Sequence, residues 1–213
     1  MSMNAVQEKK KIKKLFKIII IVFAAFLLLL FALIGVYNLI SGKVDTHGDV
    51  SGIVFAPADY DLNIFENEIY MSKERDIYYS EYGSGELIDD GNYEIHGDAA
   101  VFFKNYFDCV INGRYEEYPS FFTDSFFQKH TIPEKFTMQM IYDIKVNLHD
   151  RQYTETDGVT NMISYFVVDY KIMNNNGTFR GDVESDTVRS LFFVLSTVEG
   201  VTKISALNYV NYS

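Results

Sequence analysis

Between Ile18 and Ile40 the chain runs 23 residues without a charged side chain, and Asn38 is the only strongly polar group in the run. From there to about residue 96 small, polar and glycine positions dominate. "SGKVDTHGDVSG" reads as a flexible stalk, and "NEIYMSKERDIYYSEY" leaves room for one or two short strands or a helical turn. From Ala99 the apolar positions recur at helical spacing. Phe102, Phe103, Tyr106, Phe107 and Val110 form one stripe, with Lys104, Asn105 and Asp108 off it. Asp98 suits an N-cap, and Asn112-Gly113 a left-handed stop, for a helix over 99–112. Pro119 suits the first turn of a short second helix, Thr123 can cap a further turn, and Pro133 opens an expected helix "PEKFTMQMIYDI" with Phe136, Met140 and Ile141 on one face.

After that the period changes to two. Ile144, Val146 and Leu148 alternate with Lys145, Asn147 and His149. Met162, Phe166, Val168, Tyr170 and Ile172 then share one face of a second strand. "NNNG" at 174–177 marks a turn, "TVRSLFFVLSTV" a third strand, and Glu199-Gly200 a tight turn into a fourth. Helices followed by an antiparallel meander predict an α+β domain, with helices covering one face of a curved sheet. The organisation expected is a basic tail 1–17, a transmembrane helix 18–40, a spacer 41–96 and a folded domain 97–213.

At about 1.5 Å per residue, the 18–40 run spans a hydrocarbon core of roughly 30 Å. A cleaved signal peptide is the competing reading. Its apolar region is usually about 7–15 residues and ends at a small-x-small site, and no A-x-A pattern follows here. Charge gives the orientation. Residues 1–40 hold six lysines against Glu8, whereas the rest of the chain holds 13 basic against 28 acidic residues. Positive flanks stay cytoplasmic, so residues 41–213 are expected outside, tethered to the lipid bilayer through 18–40. The acidic body is unsuited to nucleic acid, whose phosphates need Lys and Arg.

A single cysteine, Cys109, excludes an internal disulfide, and inside a helix it reads as a buried inert thiol. The four histidines have no metal-ligand spacing, and "DTHGD" and "DDGN" do not fit a calcium loop, so no metal or cofactor is expected.

"FFKNYFDCVINGRYEEYPSFFTDSF" and "SLFFVLSTVEGVTKISALNYV" are similar to the opening helix and the last hairpin of the nuclear-transport-factor-two-like superfamily, also called cystatin-like or ketosteroid-isomerase-like. Gly200, Lys203 and Ile204 match its hairpin pattern, while Thr202 stands where Trp is common. The resemblance covers about 97–212. It implies a cone, with a bent sheet around the first helix and often a pocket at the open end. Fold does not fix function. The superfamily includes isomerases and hydratases as well as binding and scaffold domains. One branch is the membrane-anchored assembly subunit of type IV secretion and conjugation machines, whose architecture this chain resembles.

Catalytic members of that superfamily pair an Asp or His base with a Tyr acid in an apolar cavity. In this chain Asp169 and His149 fall on the face opposite the core, and Asp108 lies off the helix stripe. Tyr106 and Tyr170 are the best-placed hydroxyls, as core rings whose oxygens sit at a pocket rim. No acid and base converge. The expectation is therefore a non-enzymatic envelope protein with a protein partner or self-association. Tyr165, Val167, Leu191, Phe193 and Leu195 on the outer sheet face are the candidate interface, unless the spacer covers them. The alternatives are a subunit of a conjugation or secretion machine, and a small-molecule-binding or enzymatic member of the same fold.

Overall fold

The structure, a computed structural model, describes residues 52–156 and 159–210. They belong to one compact unit, His47–Ser213. The expected basic tail 1–17 and transmembrane helix 18–40 lie outside the described residues. Among the described residues no helix is long and apolar enough to cross a membrane.

The unit is α+β. Its elements are α1 (Glu68–Met71), β1 (Ile77–Glu81), β2 (Ser84–Ile88), α2 (Asp98–Ile111), β3 (Met140–Thr156), β4 (Val159–Met173), β5 (Leu191–Val198) and β6 (Val201–Tyr209), with short 3-10 turns between them. The six strands make one sheet in the order β2-β1-β3-β4-β5-β6. The expected meander is β3 to β6, paired antiparallel throughout. The segment read as spacer supplies the other two strands. β1 and β2 form a hairpin, and β1 joins β3 in parallel, Ile77 opposite Ile144 and Tyr79 opposite Val146.

The sheet curves because its strands carry irregularities. Register shifts fall between Tyr142 and Lys145, between Leu148 and Asp150, and between Val194 and Leu195. Such bulges bend a strand and increase its twist. At the first, Asp143 takes a left-handed backbone (φ 53°). That conformation is held by its N–H donating to the Glu74 carbonyl at 2.9 Å and by Lys171 donating to its carboxylate at 2.8 Å.

The inner face of the bend holds α2, and the stripe read from the sequence is the buried one. Phe102, Phe103, Tyr106, Phe107, Cys109 and Val110 are all buried. Phe103 meets Phe166 and Phe193 edge-on, with centroids 5.0 and 5.5 Å apart, and Phe107 meets Tyr170 at 5.5 Å. The helix stops as Asn112-Gly113 requires. Gly113 is left-handed (φ 65°), its N–H donates to the Val110 carbonyl, and the Arg114 N–H donates to that of Cys109. This is the Schellman closure. At the other end Gly97 is the cap residue and Asp98 the first helical residue.

The helix expected after Pro133 does not form. Residues 130–139 are irregular and Met140 already begins β3. The apolar residues there serve two cores rather than one stripe. Phe136 and Ile141 join the main core, whereas Met140 joins a small cluster with Ile64, Tyr70 and Met173. In that cluster the Tyr70 hydroxyl donates to the Ile141 carbonyl at 3.0 Å, which ties α1 to the start of β3.

Candidate functional site

The interior is filled rather than open. Tyr118, Phe122, Phe126, Phe136 and Phe179 continue the ring packing from α2, with Tyr118 5.1 to 5.7 Å from three of them. Neither of the two expected rim hydroxyls lies on a rim. Tyr106 and Tyr170 are 1% and 5% exposed. The Tyr106 hydroxyl is 3.1 Å from that of Tyr118, and the Tyr170 hydroxyl accepts from Arg180 Nη1 at 2.8 Å.

Arg180 is the centre of a polar knot at this end of the core. Its Nε and Nη2 donate to the two carboxylate oxygens of Asp182 at 2.6 and 2.8 Å, and Nη2 also reaches the Arg189 carbonyl. Arg189 in turn donates to Asp182 and lies 3.8 Å from the Tyr209 ring centroid. Burial alone would raise the Asp182 carboxyl. The paired hydrogen bonds and charge of Arg180, with that of Arg189, outweigh burial and hold it below the usual carboxylate range. Burial would likewise lower Arg180, but Tyr170 and Asp182 keep its pKa above the ordinary guanidinium value. Desolvation pushes the hydroxyls of Tyr106, Tyr118 and Tyr170 upward. Each group is therefore fixed in the protonation state that satisfies its neighbours, which makes the knot a packing device.

The five expected interface residues divide. Tyr165 and Val167 are half-buried on the outer face, as read from the sequence. Leu191, Phe193 and Leu195 are not on that face. They are 4%, 0% and 1% exposed and belong to the main core. The register explains the correction: Phe193 pairs with Phe166 and Leu191 with Val168, and directly opposed residues share a face. The β5 residues that do turn outward are Phe192 and Val194. Phe192 lies 6.0 Å from the Tyr165 ring and 5.9 Å from that of His149. Asp169 also faces outward, as expected.

Three grooves among the described residues bear on the surface. A wide one of ≈ 510 Å³ runs between Ile53 and the 182–189 loop. Two smaller ones flank a strap formed by residues 56–63, with volumes of ≈ 190 and ≈ 230 Å³. Beneath the strap, Thr137, Gln139, Asn176 and Thr178 form a second polar network. Among the described residues no group of three or more His, Cys, Asp or Glu side chains could hold a metal ion.

The polar groups of both networks escaped the sequence reading. Arg180 and Asp182 stand in "TFRGDVESD", which has the composition of a solvated turn, and only the fold brings them onto Tyr170. Nothing in the local pattern could have found them. Searches against protein-family models, curated proteins and solved structures found no match.

Proposed function

We propose that this protein is a non-enzymatic, single-pass component of the cell envelope that binds or scaffolds other proteins through the outer face of its sheet. The observation that carries this reading is where apolar surface remains. The inner face, where a cavity-using protein of this shape would hold its ligand, is packed with rings and closed by the Arg180–Asp182 knot. The outer face keeps Tyr165, Val167, Phe192 and Val194 half-exposed. Aromatic residues are enriched in the cores of protein interfaces. A bent sheet around one aromatic helix also suits the cone of the nuclear-transport-factor-two-like superfamily that the sequence resembles. The lysine-flanked run at 18–40 supports a tether to the bilayer with the domain outside.

The test is crosslinking in intact membranes. The full chain carries a photo-reactive phenylalanine analogue in place of Tyr165 or Phe192, with exposed Tyr82 as the control position. Discrete adducts from the two sheet positions, absent from the control, are the expected result. No adduct from either position, with the chain monomeric after solubilisation, refutes the reading. Protease added to intact cells should digest the domain; full protection would place it on the cytoplasmic side.

A further inference from the structure

The larger of the two strap grooves carries an inference independent of the outer face. Its volume is ≈ 230 Å³, and three rings and a carboxylate line it: Tyr60, Tyr115, Phe136 and Asp61. Phe136 belongs to the main core and is 1% exposed. It meets Tyr115 edge-on with centroids 6.3 Å apart, so these two walls are fixed by packing. The third wall, Tyr60, comes from the strap and is 48% exposed.

A cation already stands over these rings. Lys135 Nζ lies 4.2 Å from the Tyr60 centroid and 5.5 Å from that of Tyr115. Lys104, Lys145 and Lys171 each pair with a carboxylate, whereas Lys135 forms no ion pair among the described residues. What attracts its ammonium is the negative face of each ring. The local charge has the same sign, since Asp59 and Asp61 flank Tyr60 along the strap and Glu134 precedes Lys135. The Lys135 side chain is nevertheless a poor occupant. It is exposed, its stem is flexible and its ammonium is strongly hydrated, so little holds it over the rings. A quaternary ammonium has no N–H to hydrate. Its methyl groups carry the charge to the ring faces and also bury against Phe136 and Leu62.

We propose that this groove is a site for a trimethylammonium group, and that Lys135 is the resident cation which the ligand displaces. The size fits. About 150 Å³ suffices for benzene in an apolar cavity, and the groove offers ≈ 230 Å³. That is below the roughly 300–1,000 Å³ of sites for drug-sized ligands, so the site takes the ammonium head and a short arm. Such a head occurs in free quaternary amines and in choline lipids, and the chemistry of recognition is the same for both.

The probe pair is choline and its neutral isostere 3,3-dimethylbutan-1-ol, in which carbon replaces the charged nitrogen. The full chain in a maltoside detergent, with 13C in its tyrosine rings, is titrated with each. The Tyr60 and Tyr115 signals should shift saturably with choline, while those of exposed Tyr82 and Tyr153 stay in place. The alcohol should bind about tenfold more weakly. Tyr60→Leu, a change at a half-exposed strap position, should weaken choline about fivefold or more. Lys135→Gln removes the competing ammonium and should tighten choline about two- to fivefold. A lysine that only braced the strap would give the opposite, since its loss would loosen Tyr60. Reconstitution in bilayers separates the sources. Ring signals that move in phosphatidylcholine but not in phosphatidylglycerol identify a lipid head group, and a response to free choline alone identifies a soluble amine. Unmoved Tyr60 and Tyr115 signals, equal affinity for choline and the alcohol, or unchanged or weaker choline binding in Lys135→Gln overturns the proposal.

Discussion

Replacing Asp182 by Asn tests the packing role of the knot. The Arg180 and Asp182 side chains are 9% and 12% exposed, so their attraction is little screened by solvent. Two charge-assisted hydrogen bonds join them, each contributing roughly 1.5–3 kcal/mol net. Asn keeps the shape and one acceptor oxygen but removes the charge that compensates Arg180. Leaving one member of a buried pair unmatched costs about 3–5 kcal/mol, and the surviving acceptor puts Asp182→Asn near the lower end. For a chain of this length, about 3 kcal/mol corresponds to a fall of about 6–12 °C in Tm.

Thermal unfolding of the full chain in detergent, followed by near-UV circular dichroism of the tyrosines, measures it. The double variant Arg180→Met with Asp182→Leu should recover much of the loss, since apolar replacement of a whole buried pair is often near neutral. The effect of pH has a definite sign. The folded carboxyl lies below its unfolded value, near 3.9, so the pair stabilises fully above about pH 4. That contribution disappears as pH falls through the depressed value, and Asp182→Asn should lack this part of the acid destabilisation. A Tm change under about 2 °C, or a double variant costing the sum of its singles, refutes a buried coupled pair.

Phe103→Ala removes a ring with no exposure that touches both Phe166 and Phe193, and should cost about 3–5 kcal/mol by urea unfolding. Gly113→Ala should cost about 1–3 kcal/mol in the same assay, because Gly113 has φ 65° and an added Cβ would lie 2.8 Å from the Met138 backbone nitrogen. Cys109 should resist iodoacetamide at pH 8 until the chain unfolds. Burial pushes its thiol up to about 11, and the thiol donates to the Arg114 carbonyl at 3.2 Å. Rapid labelling of the native chain would show that the end of α2 opens readily.

The residues that told their place in the sequence were those whose neighbours along the chain also decide it. In α2 every buried ring is three or four positions from another, so a single stripe fixes the face, and Asn112-Gly113 fixes the stop. β4 alternates inner Phe166, Val168 and Tyr170 with Asp169 and Lys171, which also orients it. β5 offers no such contrast. Leu191, Phe193 and Leu195 are apolar, but so are Phe192 and Val194, and either set could face the core. Only the register against β4, in which Phe166 stands opposite Phe193, decides the matter. A one-residue slip exchanges the faces of a strand, which is why an interface drawn from β5 alone fell on the core.

The same limit applies to the pairing of β1 with β3 and to the polar network beneath the strap. β1 reaches β3 across 67 residues between Ile77 and Ile144, and Thr137 meets Thr178 across 41. Contacts this distant leave no period in the sequence. A Gln, two Thr and an Asn, each unremarkable among its neighbours, become one hydrogen-bonded network only once β3 and β4 lie side by side. Chemistry built on such long-range contacts is invisible to pattern and is found by following the hydrogen bonds that buried polar groups make across the fold.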